Sequence, residues 1–147
     1  MKKVSLASLI LLLCFSVFVT AVSAASGADS GFQSVNNGHT ARVYTDSTYY
    51  GVSDNWINVT VEKSTSAAFS YEICFMNSTQ MTCPVKTGDM TSSSKTHKID
   101  KSSLYSILPS HSQGSFTVML KVFKKGDYWT WYGDIMTKNT FTAVRPV

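Results

Sequence analysis

The chain has 147 residues, with 13 Lys and Arg against 9 Asp and Glu and a net charge of +4. That length leaves room for one domain with a modest core and not for two. So small a charge excess excludes nucleic acid as the expected partner.

The first 24 residues run from Lys2 and Lys3 through an apolar stretch, Leu9 to Val19, to Val22-Ser23-Ala24. A charged start, an apolar middle and a small-residue cleavage site make a secretory signal peptide, so the mature protein is expected to be secreted, extracellular or associated with the cell envelope. Ser8, Ser16 and Thr20 interrupt the apolar stretch, which favours cleavage over a retained membrane anchor; no membrane span is expected after it. Cleavage after Ala24 leaves 123 residues, removes Lys2 and Lys3 and lowers the net charge to +2. Residues 25–37, rich in Ser, Gly, Ala, Asp and Asn, read as a flexible lead-in to a domain spanning 38–147.

From there the apolar residues recur at period two. A first strand is expected over Ala41 to Tyr50. In the next, Ile57, Val59 and Val61 share one face while Trp56, Asn58, Thr60 and Glu62 share the other. Ala68 to Met76 groups Phe69, Tyr71, Ile73 and Phe75, and Ser115 to Phe123 groups Phe116, Val118, Leu120 and Val122. Shorter strands are expected over Thr82 to Lys86, Thr96 to Lys101, Tyr128 to Met136 and Thr140 to Val144, with one helical turn near Ser102 to Leu108. Gly126, in Lys124-Lys125-Gly126-Asp127, supplies the positive φ of a tight hairpin, so Ser115 to Met136 reads as one long β-hairpin. These elements describe an all-β fold, a single antiparallel β-sandwich of about seven strands, immunoglobulin-like or fibronectin-like.

Cys14 leaves with the signal, so Cys74 and Cys83 remain as an even pair in an oxidising compartment. A two-residue turn at Ser78-Thr79 sets Asn77 opposite Gln80, Met76 opposite Met81, Phe75 opposite Thr82 and Cys74 opposite Cys83, where a disulfide can close. It should contribute about 2 to 3 kcal/mol.

Nucleotide, serine-hydrolase, EF-hand and HExxH motifs are missing, and no cofactor or metal is expected. His39, His97 and His111 are too dispersed for a zinc site and read as surface or loop residues. Asp127 and Asp134 lie in the aromatic hairpin at opposite parity, a poor start for an acid and base pair. Tyr128-Trp129-Thr130-Trp131-Tyr132 packs four aromatic rings into five positions. Alternation with Ile135 sends Trp129 and Trp131 to the core and leaves Tyr128 and Tyr132 outside, with Trp56 and Tyr44 also outward. Trp56, Tyr128, Tyr132 and Tyr44 are therefore the candidate ligand-contacting residues. Planar rings along a sheet face suit the stacking of sugar rings and equally suit a protein or cell-envelope partner. The expected function is a small non-enzymatic binding protein for an extracellular ligand. The rival classes are a secreted effector, antimicrobial or enzyme-inhibiting, and a small glycan-active hydrolase. Asn58-Val59-Thr60 and Asn77-Ser78-Thr79 match the glycan acceptor pattern.

Overall fold

The computed structural model describes residues 27–147; the expected signal peptide, with Cys14, lies outside them. Ten strands follow in chain order: β1 (Gln33–Ser34), β2 (Thr40–Thr45), β3 (Tyr49–Tyr50), β4 (Trp56–Lys63), β5 (Phe69–Met76), β6 (Met81–Met90), β7 (Ser94–Asp100), β8 (Gln113–Lys124), β9 (Asp127–Met136) and β10 (Phe141–Val144). One sheet has the order β1-β2-β4-β7, all antiparallel. The other runs β3-β10-β8-β5-β6, with β3 parallel to β10. Strand β8 is long enough to pair with β10 over Gln113 to Phe116 and with β9 over Met119 to Lys124.

The two inner faces meet as the alternation requires. Ile57, Val59 and Val61 from one sheet, and Phe69, Tyr71, Ile73, Phe75, Phe116, Val118, Leu120 and Val122 from the other, are all fully buried in one core. Facing layers of β-branched and aromatic side chains form the packed interior of a β-sandwich. Leu104, on the short 3-10 turn Lys101–Leu104, and Ile107 and Leu108 just after it add to this core; at the start of the turn the Asp100 carboxylate accepts from the Ser102 amide at 2.8 Å. The β5–β6 hairpin has the expected register, Met76 with Met81 and Phe75 with Thr82, and Cys74 and Cys83 form the disulfide with Cα atoms 4.5 Å apart. The Asn77 side chain builds the turn, since its Oδ1 accepts from the amides of Thr79 and Gln80.

Three expectations are corrected. The described part of the 25–37 stretch is pinned instead of forming a flexible lead-in: Ala28 and Ser30 are fully buried, β1 pairs with β2, and Arg42 clasps Asp29 through two bonds of 2.7 and 2.8 Å. The guanidinium holds the Asp29 carboxyl below the usual carboxylate range. Ala41 to Tyr50 is two strands, because the chain changes sheets between Thr45 and Tyr49, a crossover braced by the Tyr50 hydroxyl on Asp46 at 2.5 Å. Strand β6 extends to Met90 through Gly88, where a Cβ would stand 2.6 Å from the Tyr71 hydroxyl oxygen, so glycine leaves room for the Tyr71 ring of the neighbouring strand.

A candidate contact surface on the aromatic hairpin

The tip of the β8–β9 hairpin is fastened to the outer face of its sheet. Gly126, at φ +75°, donates its amide to Ser70 Oγ at 2.8 Å, Ser70 Oγ donates to Asp89 Oδ1 at 2.5 Å, and Lys125 pairs with Asp89 at 2.5 Å. Below the tip the register is regular, with Leu120 opposite Ile135, Lys121 opposite Asp134 and Val122 opposite Gly133. It then slips. Phe123 faces Trp131 and Lys124 faces Asp127, so Tyr132 is one extra residue on β9 and Tyr128, Trp129 and Thr130 are three more. A bulge bends its strand and resets which side each residue faces.

That reset reverses the expected assignment of the rings. Ile135 is fully buried as expected, but Trp131 is 55% exposed beside the outward-facing Phe123, and Trp129 is 97% exposed. Neither completes the core. Tyr132 turns inward instead, half-buried, stacked on the His39 ring at 5.2 Å and 18°. Tyr128 is 39% exposed, with its ring 5.4 Å from Phe123. The missed signal was Gly133, whose φ of +148° and close approach to Val35 require glycine and mark the bulge.

The exposed arm is held by its own polar groups. Asp127 Oδ1 accepts from the Trp129 amide at 3.0 Å and Asp127 Oδ2 from the Thr130 hydroxyl at 2.7 Å. These bonds, Thr130 first, lower the Asp127 pKa. Trp131 Nε1 donates to Asp134 Oδ1 at 2.9 Å. Both carboxylates of the hairpin are thus engaged in positioning tryptophans.

Trp56 and Tyr44 lie on the outer face of the other sheet, so the four candidate residues do not share one surface. The Lys98 ammonium sits 4.5 Å above the Trp56 ring, and the Arg42 guanidinium 4.6 Å above that of Tyr44, whose hydroxyl donates to Glu62 at 3.0 Å. Cations already cover one face of each ring.

His39 and His97 are buried, contrary to the expectation of surface or loop positions, whereas His111 is exposed. Both fill gaps among aromatic core rings: His39 Nδ1 has no hydrogen-bond partner among the described residues, and His97 Nε2 is hydrogen-bonded to the Tyr71 hydroxyl at 2.5 Å. Burial lowers both histidine pKa values and pushes Tyr71 up to about 12. Among the described residues no group of three His, Cys, Asp or Glu side chains could hold a metal ion, and no helix is long and apolar enough to cross a membrane.

No curated protein and no solved structure matches this chain. The family model described as the YqgA MG2 macroglobulin domain matches residues 25–144, which takes in every strand of the sandwich. An immunoglobulin-like architecture matched over nearly its whole length places the chain in that family: it belongs to the YqgA MG2 macroglobulin domains.

Proposed function

We propose that this is a secreted, non-enzymatic interaction domain that binds carbohydrate outside the cell through Trp129, Trp131 and Tyr128. The observation that carries the reading is Trp129, 97% exposed while its backbone is fixed by Asp127. Leaving an indole in water forgoes about 4 to 6 kcal/mol of apolar burial, at about 25 cal/mol per Å² over the area such a ring covers. A fold stabilised through its own packing gains nothing from that placement, whereas a ligand that covers the ring does. The arm also loses little freedom on binding, because its turn is already made. Indole faces suit the apolar C–H face of a sugar ring, while Asp134, Thr130 and Lys124 stand nearby in the chain to bond hydroxyls. The disulfide and the family assignment fit an extracellular setting.

The test is co-sedimentation with microcrystalline cellulose, chitin and starch granules. The wild-type protein should be retained by at least one of them, and Trp129→Ala and Trp131→Ala should lose retention with melting temperatures close to wild type. Equal retention of Trp129→Ala, or no retention of wild type on any of the three, would refute the reading.

A further inference from the structure

The outer face of the second sheet does not end at the aromatic arm. Because Phe116, Val118, Leu120 and Val122 point into the core, Ser115, Thr117, Met119, Lys121 and Phe123 of β8 point out. The register sets their neighbours in rows across the sheet. Phe123 lies beside Trp131 and Ser70; Lys121 lies between Glu72 and Asp134; Met119 lies between Cys74 and Met136; Thr117 lies beside Met76. Past Thr117 the face opens into a depression of about 600 Å³. Its lining includes the hydroxyl-bearing residues Ser78, Thr79, Ser115, Thr117 and Thr140 with Met76, and no charged residue.

The hydroxyls of Ser78, Ser115, Thr117 and Thr140 make no hydrogen bond to other described residues. The rim is stiff nonetheless, since Asn77 Nδ2 donates to the Ile107 carbonyl at 3.1 Å while its Oδ1 holds the turn. An uncharged depression lined by hydroxyl-bearing residues and a methionine, with one rim held by Asn77, has the chemistry to hold a neutral polyhydroxy ligand. From Ser115 to Phe123 the strand rises about 27 Å. Between the two ends Met119 and Phe123 are themselves buried, so the apolar groups open to a ligand are Met136 and Trp131 of β9, at 40% and 55% exposure, with the polar row of Glu72, Lys121 and Asp134 between them.

We propose that the depression at Ser115, Thr117 and Thr140 is a second subsite of the same ligand, and that this ligand is a neutral glycan chain of several rings lying along the outer face of β8. The inference rests on the carbohydrate reading of the aromatic arm and adds to it the second site, the absence of charge and a dependence on chain length. Two linked subsites make the second contact intramolecular, so affinity should climb with length once the chain spans both.

The experiment is calorimetric titration of the folded protein with cello-, chito- and malto-oligosaccharides from disaccharide to hexasaccharide. In at least one series the hexasaccharide should bind at least about tenfold more tightly than the disaccharide. Thr140→Leu should keep the disaccharide affinity and lose the gain with length, whereas Trp129→Ala should weaken every length. Amide NMR shifts at Ser115, Thr117 and Thr140 should move with the hexasaccharide and stay still with the disaccharide. An affinity independent of length, or a Thr140→Leu protein that keeps the full gain, overturns the second subsite and leaves the aromatic arm standing. Absence of binding at every length in all three series overturns both.

Discussion

Gly133→Ala is the sharpest perturbation of the geometry on which the aromatic arm depends. Gly133 has a φ of +148°, and an added Cβ would stand 3.0 Å from Val35 Cγ1 and 3.1 Å from Val35 Cβ. An L side chain forced into a sparsely populated backbone region costs about 1 to 3 kcal/mol, and a contact this tight adds about 1 kcal/mol or more. The gain from stiffening the unfolded chain offsets less than about 1 kcal/mol of this. The net loss should be about 2 to 4 kcal/mol. For a domain of about 120 residues that lowers the melting temperature by about 8 to 16 °C. Thermal unfolding followed by circular dichroism measures it, and tryptophan emission should shift as Trp131 loses its bond to Asp134. In a Val35→Ala background the steric part disappears and the backbone part remains, so the double-mutant cycle should show a coupling of about 1 kcal/mol. A Gly133→Ala protein that melts within about 2 °C of wild type would refute the claim that a glycine-dependent bulge turns the arm outward.

Tyr132→Ala should lower stability by about 1 to 3 kcal/mol in denaturant unfolding, because it removes the ring stacked on His39 and packed on the core. Trp129→Ala, which truncates a ring already in water, should change it by less than about 0.5 kcal/mol. Replacing Cys74 and Cys83 together by Ala should cost about 2 to 3 kcal/mol and leave the fold intact by circular dichroism, since the pair staples a short hairpin at the sheet edge and the core lies elsewhere. His39 and His97 have folded pKa values below the ordinary 6.5, so the unfolded chain binds more protons as pH falls from neutrality; stability is fully present above about pH 6.5 and declines below it. His39→Phe, which keeps the stack on Tyr132 and removes a titrating group, should flatten that decline in urea unfolding from pH 7 to pH 5, and an unchanged slope would show that His39 does not contribute to it. The Asp29–Arg42 clasp acts in a separate window, because a depressed carboxyl pKa loses its stabilisation only as pH falls below about 4.

Alternation in β4, β5 and β8 placed the core correctly in advance, because period two is a property of the pleat and nothing in those strands offsets it on the inner face. The hairpin register around Cys74 and Cys83 was legible for a local reason, the ability of the Asn77 side chain to close a two-residue turn. Strand β9 defeated the same reasoning, since each added residue flips the parity and composition does not count bulges. A glycine within a strand pattern was the available warning. The pinned N-terminal stretch was hidden by its polarity. Its order comes from long-range partners: Asp29 on Arg42, and the Asp29 amide on the side chain of Asn139 at 2.8 Å. Only glycine fits at position 27, because a Cβ there would run into Thr45 Oγ1. Such contacts link residues far apart in sequence, and a short polar window does not contain them.

Bulges and a bent tip at a sheet edge have an ordinary structural use, which is to stop an exposed strand from templating another chain. That use accounts for the slipped register of β9, for the hydrogen bonds of Asp127 and for the lysines of the tip. It does not account for the identity of the rings. An edge is blunted as well by Ser, Thr or Lys, and the hairpin already has Thr130 and Lys124 among its exposed positions. The core does not account for them either, since Trp129 is almost wholly in water and the core cluster is closed without Trp131. Trp56 is a useful contrast: it is 43% exposed, and its exposure has a local explanation in the Lys98 ammonium lying over the ring. Trp129 has no such cover. Two indoles on a braced arm, placed by a glycine that the strand would otherwise disfavour, are accounted for by a ligand that covers them, and loss of that ligand from Trp129→Ala at unchanged stability is the result that separates recognition from edge protection.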